Sequence, residues 1–192
     1  MIYRVLQCLF TCFFKLRFSF GVRETEKLDF QGPLLIAANH RTNWDPFLIH
    51  CAIPAHMAFM AKEELFKIPV LGWVMRHEKA ISVRRGASDR QAIREALGAL
   101  AEKRILGIFP EGTRSKTGEL KKFQPGMTML AVKSQSPVLP VWIDWNSKGK
   151  VKIWLGEPLV PPGLDSDRDE QNLFTESVRD AILKLSKKAL EP

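Results

Sequence analysis

Asn39-His40-Arg41-Thr42-Asn43-Trp44-Asp45 is the first segment whose residue types and spacing suggest chemistry. A carboxylate five residues from a histidine, across a loop that turns into a helix, can accept from one ring nitrogen and leave the other unprotonated as a base. The plainer alternative is a histidine closing a turn and an aspartate capping the helix that Pro46 opens. Phe109-Pro110-Glu111-Gly112-Thr113-Arg114-Ser115 is the second such segment. Gly112 lets a ligand approach the backbone, and Thr113, Arg114, Ser115 and Lys116 offer donors, the guanidinium bidentately to a phosphate. Read plainly, it is a polar turn. The third, Ala80-Ile81-Ser82-Val83-Arg84-Arg85, is an apolar strand ending in two arginines: an anion contact or a solvated strand end. No serine elbow, H-E-x-x-H pair, P-loop or dinucleotide glycine fingerprint occurs. A histidine–aspartate base without a nucleophile of its own requires the substrate to bring one, such as a hydroxyl.

These segments must be positioned by the elements around them. Leu34 to Ala38 reads as a buried strand, and Pro46 to Ala52 as a short helix. His56 to Met60 is a strand, and Glu63 to His77 is helical in two pieces broken at Pro69. Ala80 to Val83 is a short strand. Ser88-Asp89-Arg90-Gln91 is a capping box, opening a helix with Ile93, Ala96, Leu97 and Leu100 on one face. Ile105 to Phe109 is a strand stopped by Pro110, Met127 to Lys133 a helix, and Val138 to Ile143 and Val151 to Leu155 strands. Pro158 to Asp169 is a loose connection into a last helix striped by Phe174, Val178, Ala181, Ile182 and Leu185. Strands alternating with helices predict a single α/β domain over residues 21–192, with a mixed, mostly parallel sheet flanked by helices. Both polar loops then follow strands, where open α/β sheets place their sites.

The chain has 192 residues, 45% apolar and 26% charged, a globular composition for one domain. Three cysteines, Cys8, Cys12 and Cys51, without a C-x-x-C pair exclude a disulfide scaffold and argue against a zinc site. The net charge of +8 points to an anionic partner: nucleic acid, an anionic membrane or a phosphorylated substrate. The opening MIYRVLQCLFTCFFKLRFSF helps to choose, with fourteen apolar residues in twenty and five of the twelve Phe. Arg4, Gln7, Thr11 and Lys15 fall on one narrow helical stripe. The apolar stretch between Arg4 and Lys15 is too short to span a bilayer, and Lys15, Leu16 and Arg17 stand where a signal peptidase would need small residues. Residues 1–20 therefore read as an amphipathic helix, lying in a membrane interface or packed on the domain. Removing Arg4, Lys15, Arg17 and Arg23 leaves 25 basic against 21 acidic residues, dispersed among one another. No nucleic-acid-binding motif accompanies them, so nucleic acid is not expected as a partner.

NHRTNWD, AISVRR, FPEGTRS and LPVWI, in that order, resemble the four motif blocks of the glycerolipid acyltransferases, most closely those of the bacterial 1-acylglycerol-3-phosphate (lysophosphatidate) type. The blocks run from Asn39 to Ile143, and Ala61 to Phe66 and Gly156-Glu157-Pro158 also look familial. The resemblance implies acyl transfer from a coenzyme A or acyl carrier protein thioester to the sn-2 hydroxyl of lysophosphatidate, giving phosphatidate in phospholipid synthesis. It implies His40 as general base and Asp45 as its partner. It further implies Glu111, Gly112, Thr113 and Arg114 around the acceptor's glycerol phosphate, with Arg85 as the arginine of the second block. Neither metal nor cofactor is implied, the oxyanion would draw on amides near the first block, and the protein would sit on the cytoplasmic face of a membrane. Thr42, Lys79 and Arg84 depart from the commonest block residues, and His40-Arg41 and Arg84-Arg85 resemble the glycerol-3-phosphate acyltransferases. Glycerol-3-phosphate as acceptor, or a non-catalytic lipid-binding protein, are the alternatives.

Overall fold

The computed structural model describes residues 2–24, 32–53, 55–84, 89–146 and 149–190, with side chains from residue 7 onward. Seven strands form one sheet: β1 (Gly21–Arg23), β2 (Leu34–Ala38), β3 (Met57–Lys62), β4 (Ile81–Val83), β5 (Ile105–Ile108), β6 (Val138–Trp145) and β7 (Val151–Leu155). Their order is β1-β7-β6-β2-β5-β3-β4, and every pairing is parallel except β6 with β7. The expected single α/β domain with a mostly parallel sheet is the fold observed. The three residues of β1, too short to show a period, escaped the sequence reading; they pair in parallel with Lys152, Ile153 and Trp154.

The helices are α1 (Ile2–Phe18), α2 (Asp45–Ala52), α3 (Pro69–His77), α4 (Arg90–Ala101), α5 (Gly126–Ser134) and α6 (Arg168–Lys188). A 3₁₀ turn at Glu63–Lys67 precedes α3, so Pro69 separates two pieces as expected. Alternation along the strands divides the core into two layers. Leu35 and Ala37 face α4, α5 and α6, whose Leu100, Met127, Leu130, Val178 and Ile182 are buried against them. Leu34, Ile36 and Ala38 face α1 and α2 through Phe14, Leu48 and Ile49. Asp89 caps α4 by accepting from the Ala92 amide at 3.2 Å; Ser88 of the expected capping box lies outside the described residues. Helix α6 opens with a reciprocal capping box between Asp167 and Glu170.

Helix α1 both packs on the domain and presents an apolar face outward. Phe14 is fully buried, and Phe10 meets Phe47 at 5.1 Å. Gln7 and Thr11 of the polar stripe turn toward the domain, whereas Lys15 is exposed: Gln7 donates to the carbonyls of His50 and Ile53 at 2.8 and 3.0 Å, satisfying acceptors at the end of α2. The opposite face exposes Leu9 (62%), Phe13 (44%) and Leu16 (89%), with Lys15 and Arg17 beside them. The Arg4 side chain lies outside the described residues. Among the described residues, no helix is long and apolar enough to cross a membrane.

Candidate active site

Three adjacent central strands, β6, β2 and β5, end at one edge of the sheet, and their following residues form the site. β2 leads into Asn39–Asp45, β5 into Phe109–Ser115, and β6 ends at Trp145. Asn39 fixes the first loop to β6. Its amide donates to the Ile143 carbonyl at 3.1 Å, and its oxygen accepts from the Ile143 amide at 2.7 Å.

His40 and Asp45 form the expected pair, with Nδ1 to Oδ2 at 2.9 Å. Asp45 is fully buried in the first turn of α2. It does not cap that helix. Instead its carboxylate turns back, accepting from the Arg41 and Thr42 amides at 2.6 and 2.7 Å, the Thr42 hydroxyl at 2.8 Å and the Trp145 indole at 3.0 Å. The two amides and the indole can only donate. In the tautomer whose Nδ1–H donates to Oδ2, His40 Nε2 keeps its lone pair and can serve as a base. Its side chain keeps 19% of its surface exposed. The ring stacks on Phe109 at 4.1 Å, and Phe109 stacks on Phe59 at 5.9 Å. Gly107 makes room for that ladder, since a Cβ there would lie 2.2 Å from the Phe59 ring. Phe59 and Gly107 could not be linked from sequence because their contact depends on the pairing of β3 with β5.

The first and third motif blocks are bound to each other. The Ser115 amide donates to the His40 carbonyl at 2.7 Å, and Arg114 Nη1 donates to Asn43 Oδ1 at 2.8 Å. Gly112 adopts φ +69°, a left-handed conformation that favours glycine. Glycine, Thr113 and Arg114 are exposed at the turn. Glu111, by contrast, is buried with both carboxylate oxygens occupied: Oε1 accepts from the His40 amide at 2.7 Å and Oε2 from the Lys121 amide at 3.0 Å. A carboxylate so placed braces the two loops through these amides, beside the acceptor contact that the resemblance implies for Glu111. Glu111→Ala is expected to lower stability by about 1–3 kcal/mol, because two amides lose their acceptor. Denaturant unfolding measures this. Unchanged stability with a raised acceptor KM would leave Glu111 the acceptor contact alone.

Two further cations border the site. Lys121 Nζ donates to the Thr113 hydroxyl at 3.2 Å and the Arg114 carbonyl at 2.7 Å, and Arg41 Nη1 donates to the Trp145 carbonyl at 3.2 Å. Their roles were not legible because Lys121 lies in an otherwise ordinary polar stretch. At the rim, burial pushes the Asp144 carboxyl up, opposed by the charges of Lys152 and Arg41. Arg85 lies outside the described residues; its neighbour Arg84 donates its amide to Asp89 at 2.8 Å. The amides expected to hold an oxyanion are engaged by side chains: His40 with Glu111 of the second loop, Arg41 and Thr42 with Asp45, and Trp44 with the Thr42 hydroxyl. In this arrangement those four are not available to an oxyanion.

A buried aspartate bonded to a histidine, beside an arginine-bearing turn, thus lies at the carboxyl edge of a mostly parallel sheet, where open α/β proteins carry their sites. The chain belongs to the acyltransferase family, whose family model matches residues 19–144. A 1-acyl-sn-glycerol-3-phosphate acyltransferase of Borreliella burgdorferi is 30% identical over 176 residues, covering 85% of this chain and 70% of that protein. Proteins of the same name from Saccharomyces cerevisiae and Pseudomonas aeruginosa are each 30% identical, over 79% and 64% of this chain. The chain spans 54% and 48% of their respective lengths. The crystal structure of the 1-acyl-sn-glycerophosphate acyltransferase PlsC from Thermotoga maritima aligns with a TM-score of 0.82 at 28% identity, covering 100% of this chain and 81% of that one.

Proposed function

We propose that this chain transfers a fatty acyl group from a coenzyme A or acyl carrier protein thioester to the sn-2 hydroxyl of lysophosphatidate. The observation that carries the reading is the His40–Asp45 pair, held on the same loop that Arg114 reaches through Asn43. His40 Nε2 takes the hydroxyl proton as the oxygen attacks the thioester carbonyl. The resulting tetrahedral intermediate collapses, breaking the carbon–sulfur bond, and the departing thiolate recovers the proton from His40. No cofactor is required, since the thioester supplies the activated acyl group. Arg114, with Arg85 from the second block, would hold the acceptor phosphate and so fix the hydroxyl for attack. The outward face of α1, with Lys15 and Arg17, would lie at the headgroups of the cytoplasmic leaflet, where both lipid chains already reside.

The deciding experiment compares lysophosphatidate and glycerol-3-phosphate as acceptors side by side, with each thioester as donor. Preference for lysophosphatidate supports the reading, preference for glycerol-3-phosphate replaces the acceptor, and transfer to neither leaves a lipid-binding protein. Arg114→Ala is expected to raise the acceptor KM about tenfold or more, since a charge-assisted hydrogen bond contributes about 1.5–3 kcal/mol. Thioester kinetics should change little. Impaired thioester use with normal acceptor kinetics would assign this turn to the donor.

A further inference from the structure

Four of the five donors to Asp45 belong to its own loop, from His40, Arg41 and Thr42. The fifth comes from 100 residues away, where Trp145 at the end of β6 donates its indole N–H to Oδ1. We propose that Trp145 is a positioning residue for acyl transfer, fixing the Asp45 carboxylate through this hydrogen bond, and that Phe18 of α1 seats its ring. The proposal rests on the reading of His40 and Asp45 as the catalytic pair.

The loop donors travel with the loop, so they orient the carboxylate only relative to the loop itself. The indole ties Oδ1 to the sheet. The only other hydrogen bond to Oδ1 among those described is from the Thr42 hydroxyl, a rotor that can turn away, whereas an indole N–H is fixed by its ring plane. That plane is held from two sides. Phe18 meets the Trp145 ring edge-on at 5.3 Å and 83°. Phe18 is in turn stacked on the fully buried Phe14 at 5.9 Å and lies under the Arg17 guanidinium at 4.8 Å. On the backbone side, the Trp145 carbonyl accepts from Arg41, whose own amide donates to Asp45 Oδ2. Asp45, Arg41 and Trp145 thus close a ring of three contacts. Losing the indole donor frees the carboxylate to rotate, and the Nδ1–Oδ2 geometry that aims His40 Nε2 degrades with it. The acceptor contacts on the FPEGTRS turn do not depend on Trp145.

The test uses the full chain with lysophosphatidate and an acyl thioester. Trp145→Phe keeps an aromatic ring against Phe18 and removes the donor. It is expected to lower kcat about tenfold or more while KM stays within about twofold, the size of one hydrogen bond to a charged group. Thr42→Val removes the other donor to the same oxygen. Because each donor supports the carboxylate when the other is missing, the double variant should lose more than the product of the two single losses. A folded Trp145→Phe protein with full kcat overturns the proposal. So does a loss that appears equally in KM, or one that multiplies simply with Thr42→Val, since either would describe general packing. Should Trp145→Phe fail to fold, Phe18→Leu loosens the seat and keeps the indole; lowered kcat at constant KM supports the proposal, and unchanged kcat overturns it. His40→Ala run alongside separates the two readings. If it retains transfer, the catalytic pair itself is wrong; if it is inactive while Trp145→Phe is normal, only the positioning role fails.

Discussion

His40→Ala is expected to abolish acyl transfer, a loss of about 10²–10⁴-fold for a missing general base, in a protein that remains folded and still binds lipid. Fold retention is expected because the other four donors to Asp45 stay in place. The ring's remaining partner is Phe109, whose stack with Phe59 is independent of it. Asp45→Asn should be comparably severe for a compound reason. Its amide group would confront amide donors from Arg41 or Thr42, and it would favour the wrong imidazole tautomer. That variant therefore tests stability and tautomer together, and His40→Ala carries the kinetic argument. Turnover with lysophosphatidate, beside circular dichroism, decides it. A folded His40→Ala enzyme that kept more than about a tenth of wild-type turnover would refute general-base catalysis by this residue.

What could be read from sequence was local. The strand Leu34 to Ala38, the Asn39–Asp45 loop behind it and the Phe109–Ser115 loop behind Ile105–Ile108 are contiguous, so hydropathy and turn residues place them, and the parallel-sheet rule puts both loops at one edge. The five-residue spacing also allowed the His40–Asp45 contact. What sequence could not supply were partners far apart along the chain. Glu111 matches the acceptor block by position, yet its carboxylate faces the His40 and Lys121 amides, which only the register of β2 against β5 determines. Trp145 follows an apolar strand and looks like its continuation, while the indole's target lies across the sheet edge. Gly107 reads as a weak point in a strand until the Phe59 ring is seen over it. The polar stripe of α1 left two placements open, and only the carbonyls at the end of α2 show that Gln7 is drawn inward.

That inward packing changes what removing α1 should do. Deleting residues 1–18 would uncover Phe47 and the α2 layer and remove the fully buried Phe14. Truncating a buried Phe to Ala alone costs about 3–5 kcal/mol, so the deletion is expected to destabilise the domain and would not isolate a membrane role. The outward face can be changed separately. Leu9→Ser and Leu16→Ser together replace the two most exposed large apolar side chains of this face and leave Phe13, which meets the Phe14, Phe18 and Trp44 rings, in place. Fully burying each such side chain in an apolar phase contributes about 1.5–3 kcal/mol, so the double variant should lose vesicle affinity about a hundredfold or more while its melting temperature changes little. Activity on membrane-embedded lysophosphatidate should fall with it, and activity on a short-chain soluble acceptor should survive. Salt provides the control. Lys15 and Arg17 are exposed beside this face and contribute about 1 kcal/mol each near an anionic leaflet. Raising ionic strength should therefore weaken wild-type vesicle binding only in part, because the apolar contribution is not screened. A double variant that sediments with anionic vesicles as the wild type does would mean that this face does not meet lipid, and that the acceptor reaches His40 by another route.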